Sequence, residues 1–342
     1  MTLSSFILLI IILLIISFLI KKWANGPMTT NKRDLTGKLI IITGASDGIG
    51  FETAKNLLSS NAKVIFACRN KTKTENAIKT LPEDYQKNAS FVQLDLDSFK
   101  SIELFVKEIK TKYPKIDILI NNAGVGARLI NKTEDGYINT YQTNYLGNVL
   151  LTLLLLDHFN EKESKIINVS SRSYKWSNLS YGDSKILNNY DLMYNNYLQM
   201  RNKSQLYSNT KLLLNYFTQY LAELTETKYP YLKVVCLHPG FIRTNIFKFK
   251  NTIHKIIFKL FFNTFLYWFS KSIVHGAQNT LFLSYSENKD LVNGAYYNNL
   301  KLEKYTPKAR DEKLKNEMVN ETLNILKSKY KELEYLPLSG QN

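Results

Sequence analysis

The sequence predicts an α/β fold in which a doubly wound parallel sheet forms one domain, preceded by a single N-terminal transmembrane helix. Three observations carry this. From Gly37 onward, short Ile/Val-rich runs alternate with longer amphipathic stretches, which is the pattern of repeated βα units. A glycine-rich turn joins the first such run to the first helix-like stretch. The first twenty residues carry no charged side chain.

Composition sets the outer bounds. A chain of 342 residues has room for one large domain and an anchor. Hydrophobic residues at 44% and charged residues at 22% exclude wholesale disorder. Two cysteines, Cys68 and Cys236, cannot staple a fold of this size or fill a four-ligand zinc site; no metal is expected. The net charge of +16 raises nucleic acid or anionic membrane as partners. Only 7 of the 45 basic residues are Arg, however, so the charge is diffuse lysine and nucleic acid is not expected as a partner.

Residues 1–22 read as a retained signal anchor. As a helix, residues 3–20 would reach roughly 27 Å, close to the ~30 Å hydrocarbon core. Lys21, Lys22 and Trp23 follow as a cationic and aromatic stop, and no small-x-small cleavage site is present. Lys21, Lys22, Lys32 and Arg33 all lie after the span, which turns the domain that follows toward the cytosol. Residues 23–36 read as a polar linker and 331–342 as a loose tail.

Between these ends, strands are expected over 38–43, 63–67, 91–94, 116–120, 165–169, 232–237 and 294–297. Helices are expected over 50–60, 98–113, 137–159 and 205–225. No repeat divides the chain, so 37–330 is one domain.

The first strand ends in a turn containing Gly44, Ser46, Asp47, Gly48, Ile49 and Gly50. Glycines there allow a sharp turn, close phosphate approach and close helix packing, and the following helix N-terminus favours a pyrophosphate. This is the Rossmann-type arrangement for a dinucleotide. The second strand closes on Arg69 and Asn70. No acidic residue stands there for a ribose hydroxyl, whereas Arg69 suits a 2′-phosphate, so NADP(H) is preferred over NAD(H).

A tyrosine can protonate a developing alkoxide if a nearby ammonium stabilises its phenolate, and a Y-x-x-x-K spacing puts both on one helix face. Two such pairs occur, Tyr181/Lys185 and Tyr207/Lys211. The first lies in an Asn-rich stretch poor for a helix. The second opens a long apolar-striped segment that ends just before Pro230 and feeds a strand, as a crossover helix should. Tyr207 and Lys211 are therefore selected.

The segments TGASDGIGFETAK, ACRN, NNAG, VSS, YSNTK and HPGFIRT stand in the order of the short-chain dehydrogenase/reductase family, and the chain resembles its retinol-dehydrogenase-like members over nearly all of 37–330. The resemblance implies an oxidoreductase acting on CH–OH groups. It adds Asn144 and Ser171 to the catalytic set, with Ser170 as the fallback. Asp95 and Leu96 would meet the adenine, and Asn122, Ala123 and Gly124 would flank the cofactor. Pro239, Gly240, Ile242 and Thr244 would wrap the nicotinamide, while His238 is structural. The chain departs from the family in the long gap between Ser171 and Tyr207, filled by a Tyr/Asn-rich insert at about 176–203.

Residues 246–271 form a lipophilic stretch, too short in its uncharged core to span a bilayer. They read as a substrate lobe, an interfacial helix over about 251–271, or both. The expected function is membrane-anchored, NADP(H)-dependent interconversion of a lipophilic alcohol and its aldehyde or ketone, retinoid-, steroid- or lipid-like. The expected membrane is the endoplasmic reticulum, and an oligomer is compatible with the sequence. A catalytically silent NADP-binding scaffold or sensor is the alternative.

Overall fold

A computed structural model of the chain describes residues 3–126, 130–187, 189–200, 204–242 and 268–340. Eight strands form one sheet: β1 (Leu39–Thr43), β2 (Lys63–Cys68), β3 (Ala89–Gln93), β4 (Ile118–Asn121), β5 (Ser164–Val169), β6 (Leu232–His238), β7 (Tyr296–Asn298) and β8 (Lys301–Glu303). Their order is β3-β2-β1-β4-β5-β6-β7-β8. All neighbours are parallel except β7 and β8. The order reverses between β1 and β4, so a crevice opens at the C-terminal strand ends, where ligands bind in such sheets.

The central strands are buried along almost their whole length and rich in Ile, Leu and Val because both of their faces are covered. Helices α1 (Leu3–Asn25), α2 (Gly48–Leu58), α3 (Lys71–Lys79) and α4 (Phe99–Lys112) come first in the chain. Next is a composite helix, α5, built from Asn139–Tyr141, a π turn over Gln142–Leu146, and Gly147–Leu155. It is followed by α6 (Tyr190–Gln199), α7 (Gln205–Lys228), α8 (Ile273–Tyr285) and α9 (Glu312–Lys327). One core packs α4, α5, α7 and α9 on one face of the sheet, and a second packs α2 and α8 on the other. Fully buried α7 residues such as Leu212, Phe217 and Leu221 each contribute about 1.5–3 kcal/mol through burial.

Several expectations change. The Asn-rich stretch does form a helix, α6. The Asn189 side chain caps it by accepting from the Leu192 amide, and Met193 is buried, so capping and packing outweigh poor propensity. Residues 331–340 are not loose: Leu333 and Leu336 are buried, and the Tyr220 hydroxyl donates to the Pro337 carbonyl at 2.8 Å. The antiparallel strand β8 and helices α3 and α9 add to the expected elements.

The N-terminal helix runs past the expected boundary to Asn25. Its described side chains are exposed on every side, among them Leu8, Ile11, Leu14, Ile15 and Phe18. Among the described residues, no helix is long and apolar enough to cross a membrane. The segment after α1 lies against the domain instead of hanging free. Leu35 is buried, its amide donates to the Ser60 carbonyl at 2.7 Å, and Arg33 pairs with Glu163 at 2.9 Å.

Candidate active site

The turn after β1 is shaped by its glycines. Gly44 and Gly48 have φ of 68° and 57°. A Cβ on Gly50 would lie 2.5 Å from Asn122 Nδ2 and 2.6 Å from the Gly44 carbonyl, so α2 can start this close to β4 only through glycine. Thr43 ties the turn to the end of β4, its hydroxyl accepting from the Asn122 and Ala123 amides, both at 2.9 Å. Asn122 Nδ2 donates back to the Thr43 carbonyl at 2.8 Å. Asp47 caps α2, accepting from the Gly48 amide at 2.7 Å. Ile49 packs on the second core.

At the end of β2, Arg69 is largely exposed and lies 3.9 Å from Asp95 and 3.8 Å from Asp97. Asn70 caps α3 by accepting from the Lys73 amide. Lys73, which sequence reasoning passed over, reaches across to Asp47 at 2.8 Å. Two cations, Arg69 and Lys73, therefore border the phosphate-cradling turn. The local pattern does not mark Lys73, since Arg69 precedes the α3 cap and Asp47 is 26 residues away. Leu96 is buried beside Asp95. The open glycine turn, the helix N-terminus and two nearby cations fit an anionic dinucleotide.

The proposed catalytic residues converge at the ends of β4 and β5. Asn144 sits in the π turn of α5, wholly buried. Its Oδ1 accepts from the Val125 amide at 2.7 Å and its Nδ2 donates to the Val125 carbonyl at 2.8 Å and to the Thr210 hydroxyl at 3.3 Å. The amide is thus fixed between the loop after β4 and helix α7. π turns recur at functional sites because they displace one backbone position from the regular ladder.

Tyr207 and Lys211 share a face of α7. The Lys211 Nζ lies 5.6 Å from the Tyr207 ring centre and donates to the Val169 carbonyl at 2.8 Å. Gly124 faces Lys211 and Asn144: a Cβ there would be 3.7 Å from the Lys211 Nζ and 3.4 Å from the Asn144 Oδ1. Burial pushes the Tyr207 phenol up to about 12, and a hydrogen bond with Ser171 partly offsets this. Burial lowers Lys211 to about 8. Ser171 follows β5 directly, and its hydroxyl also accepts from the Ser173 amide at 3.2 Å. Ser170 points elsewhere, its hydroxyl donating to the Lys211 carbonyl at 3.3 Å.

The rival pair lies apart from this site. The Tyr181 hydroxyl donates to Asp311 at 2.5 Å and Lys313 sits over its ring, so Tyr181 docks the start of α9. His238 Nδ1 accepts from the Arg172 amide, and burial holds the ring down at about 3. It is a neutral structural acceptor. Asn279, another residue missed from sequence, donates to the His238 and Tyr297 carbonyls and so joins β6 to β7 beneath the cofactor turn. In that turn Pro239 precedes Gly240, whose φ is 101°, and Ile242 bridges to Lys271. Thr244 lies outside the described residues, as does most of the lipophilic stretch, 243–267.

The insert packs over α7. A cavity between them is lined chiefly by Tyr141, Leu187, Met193, Met200, Leu206 and Leu213. At 100° per residue, Leu206 and Leu213 lie on a different side of α7 from Tyr207 and Lys211, while Thr210, which also lines the cavity, accepts from Asn144. Both cysteines are free and buried.

A parallel sheet with this strand order, a glycine cradle after β1 and a Tyr–Lys pair on the helix that flanks the strand ends defines a nucleotide-dependent α/β oxidoreductase. The family model for short chain dehydrogenases matches residues 38–185. Human "Retinol dehydrogenase 14" is 35% identical over 292 residues, covering 81% of this chain and 82% of that protein. The chain belongs to the short-chain dehydrogenase/reductase family and is retinol-dehydrogenase-like within it. Solved structures agree on the fold. A Mycobacterium paratuberculosis protein aligns with a TM-score of 0.68 at 24% identity, over 88% of this chain and 98% of its own. A Shigella flexneri short chain dehydrogenase complexed with NADP aligns with a TM-score of 0.58 at 21% identity, over 79% and 100%.

Proposed function

We propose that this oxidoreductase uses NADP(H) to interconvert a lipophilic alcohol and its aldehyde or ketone, with Tyr207 as the acid/base. The observation that carries the reading is the meeting of Asn144, Ser171, Tyr207 and Lys211 at the ends of β4 and β5. The cofactor would lie on the glycine cradle, with Arg69 and Lys73 toward its 2′-phosphate, and when bound it supplies or accepts the hydride. Tyr207, held up at about 12, is a neutral donor at physiological pH and gives its proton to the substrate oxygen during reduction. Ser171 orients that oxygen by hydrogen bonding. Lys211, fixed on Val169, places a cation beside the phenol to favour its anionic product. Asn144 holds the loop after β4 against α7, and its Oδ1 would place a relay water beside Lys211.

The name of the human relative points to retinoids, and the substrate class here is retinoid-, steroid- or lipid-like. Helix α1, uncharged up to Ile20 and carrying Lys21 and Lys22 near its C-terminal end, supports anchoring in the endoplasmic reticulum membrane with the domain in the cytosol. The test is a screen of lipophilic aldehydes and ketones with NADPH and NADH on the full chain. NADPH oxidation that depends on Tyr207 supports the reading. No turnover with any carbonyl, despite tight NADPH binding, would replace it with the silent-scaffold alternative.

A further inference from the structure

The end of α1 is clamped to the domain. The Lys21 Nζ donates to the Ser270 carbonyl at 2.7 Å, and Asn25 Oδ1 accepts from the Ser272 amide at 3.1 Å. The Thr29 amide donates to Gln278 Oε1 at 3.0 Å. All three partners lie on the segment that enters α8 or on α8 itself. Around this clamp stand exposed apolar side chains, namely Trp23, Met28, Phe241, Phe269, Ile273 and Val274. The Lys271 amide donates to the Phe241 carbonyl at 2.7 Å and Ile242 bridges to Lys271, which sets the Phe241 turn beside the segment that carries Phe269 and Ile273.

We propose that this patch is a second membrane-contacting surface, which seats the catalytic domain on the bilayer with the cofactor turn at the lipid surface. The inference rests on α1 being embedded in lipid, as proposed above. The committed occupant is lipid, for two reasons. A helix apolar on every described side ends at the patch and is hydrogen-bonded to it, so whatever surrounds α1 continues over Phe269, Ile273 and Val274. The helix exit is cationic, with Lys21 and Lys22, and Trp23 is largely exposed there; amphipathic aromatic and basic side chains of this kind populate the headgroup layer.

The geometry has a consequence for the site. Lys271 packs so closely on Gly240 that a Cβ there would meet its Cδ at 2.4 Å, and its Nζ donates to Asn299 at 2.6 Å. The Gly240 turn is thereby wedged between the membrane clamp and β7.

The experiment uses the full chain in vesicles of four parts phosphatidylcholine to one part phosphatidylserine, with and without lipids bearing a nitroxide at acyl carbon 5. Three variants, each with one added cysteine, carry a fluorophore: Val274→Cys in the patch, Ile12→Cys in α1, and Leu104→Cys, exposed on the opposite face of the sheet. The native thiols are buried. The expected result is an emission loss of about twofold or more at 274, as burial to ~5–10 Å depth requires, a measurable loss at 12 inside the hydrocarbon core, and none at 104. Ile273→Cys gives the same readout should Val274→Cys fail to fold. Loss at 12 without loss at 273 or 274 overturns the patch and leaves the anchor standing. No loss at 12 overturns the anchor, and the patch with it. Equal loss at 104 and 274 overturns the patch as nonspecific adsorption.

Discussion

The Lys211 ammonium is anchored at 2.8 Å on the carbonyl of Val169, the last residue of β5, while burial holds its pKa down at about 8. The cation beside Tyr207 is therefore present below that value and lost as pH rises through it. Tyr207, near 12, stays protonated across the same range. The kcat/KM for carbonyl reduction should be level below about pH 7 and fall through about pH 8. Lys211→Arg, if it turns over, should lose that descending limb because a guanidinium stays charged. A wild-type limb found only above pH 10 would remove Lys211 from this role.

The two tyrosines that share the Y-x-x-x-K spacing should separate cleanly. Tyr207→Phe removes the proton donor and should lower kcat by about 10²–10⁴, with little change in cofactor affinity. Tyr181→Phe loses only the bond to Asp311 at the start of α9, and kcat should be unchanged. Full activity in Tyr207→Phe together with loss in Tyr181→Phe would reverse the assignment.

Much of this was legible before the structure. Strands β1, β2, β5 and β6 are runs of Ile and Val because both faces are covered, so their positions were readable to within a residue or two. The glycine turn and the Tyr207/Lys211 pair were readable because their chemistry needs fixed spacing. What was hidden depends on tertiary contact. Helix α6 forms through the Asn189 cap and the burial of Met193, which overrides its composition. The last residues look polar, yet Leu333 and Leu336 fill a hollow beside α7 and α9. Lys73 was overlooked because its partner, Asp47, is 26 residues away.

Cofactor choice should follow the two cations at the adenosine end. Arg69→Glu and Lys73→Glu should each raise KM for NADPH on the order of 10–100-fold, the scale of one lost charge-assisted hydrogen bond. KM for NADH should change far less. Lys73→Glu also places a carboxylate against Asp47, so the paired substitution Asp47→Asn should recover part of the loss. Equal effects on both cofactors would show that these cations serve the pyrophosphate and not the 2′-phosphate.

Gly50 and Gly124 should respond to a single added methyl in opposite ways. At Gly50 the new Cβ would meet the Gly44 carbonyl at 2.6 Å and the Asn122 amide nitrogen at 2.5 Å. The carbonyl is backbone, and the amide is held by Thr43, so neither can yield without moving the start of α2. Gly50→Ala should cost roughly 1–3 kcal/mol, as overpacking does, and it should lower Tm and weaken cofactor binding together. At Gly124 the nearest atoms are the Asn144 Oδ1 at 3.4 Å and the Lys211 Nζ at 3.7 Å, which are ordinary contacts. Gly124→Ala should therefore keep Tm but restrict the space between those two side chains. Thermal melts paired with single-turnover rates separate the cases: a fall in rate without a fall in Tm locates Gly124 in the reaction space, and a fall in both would place it in the fold alone.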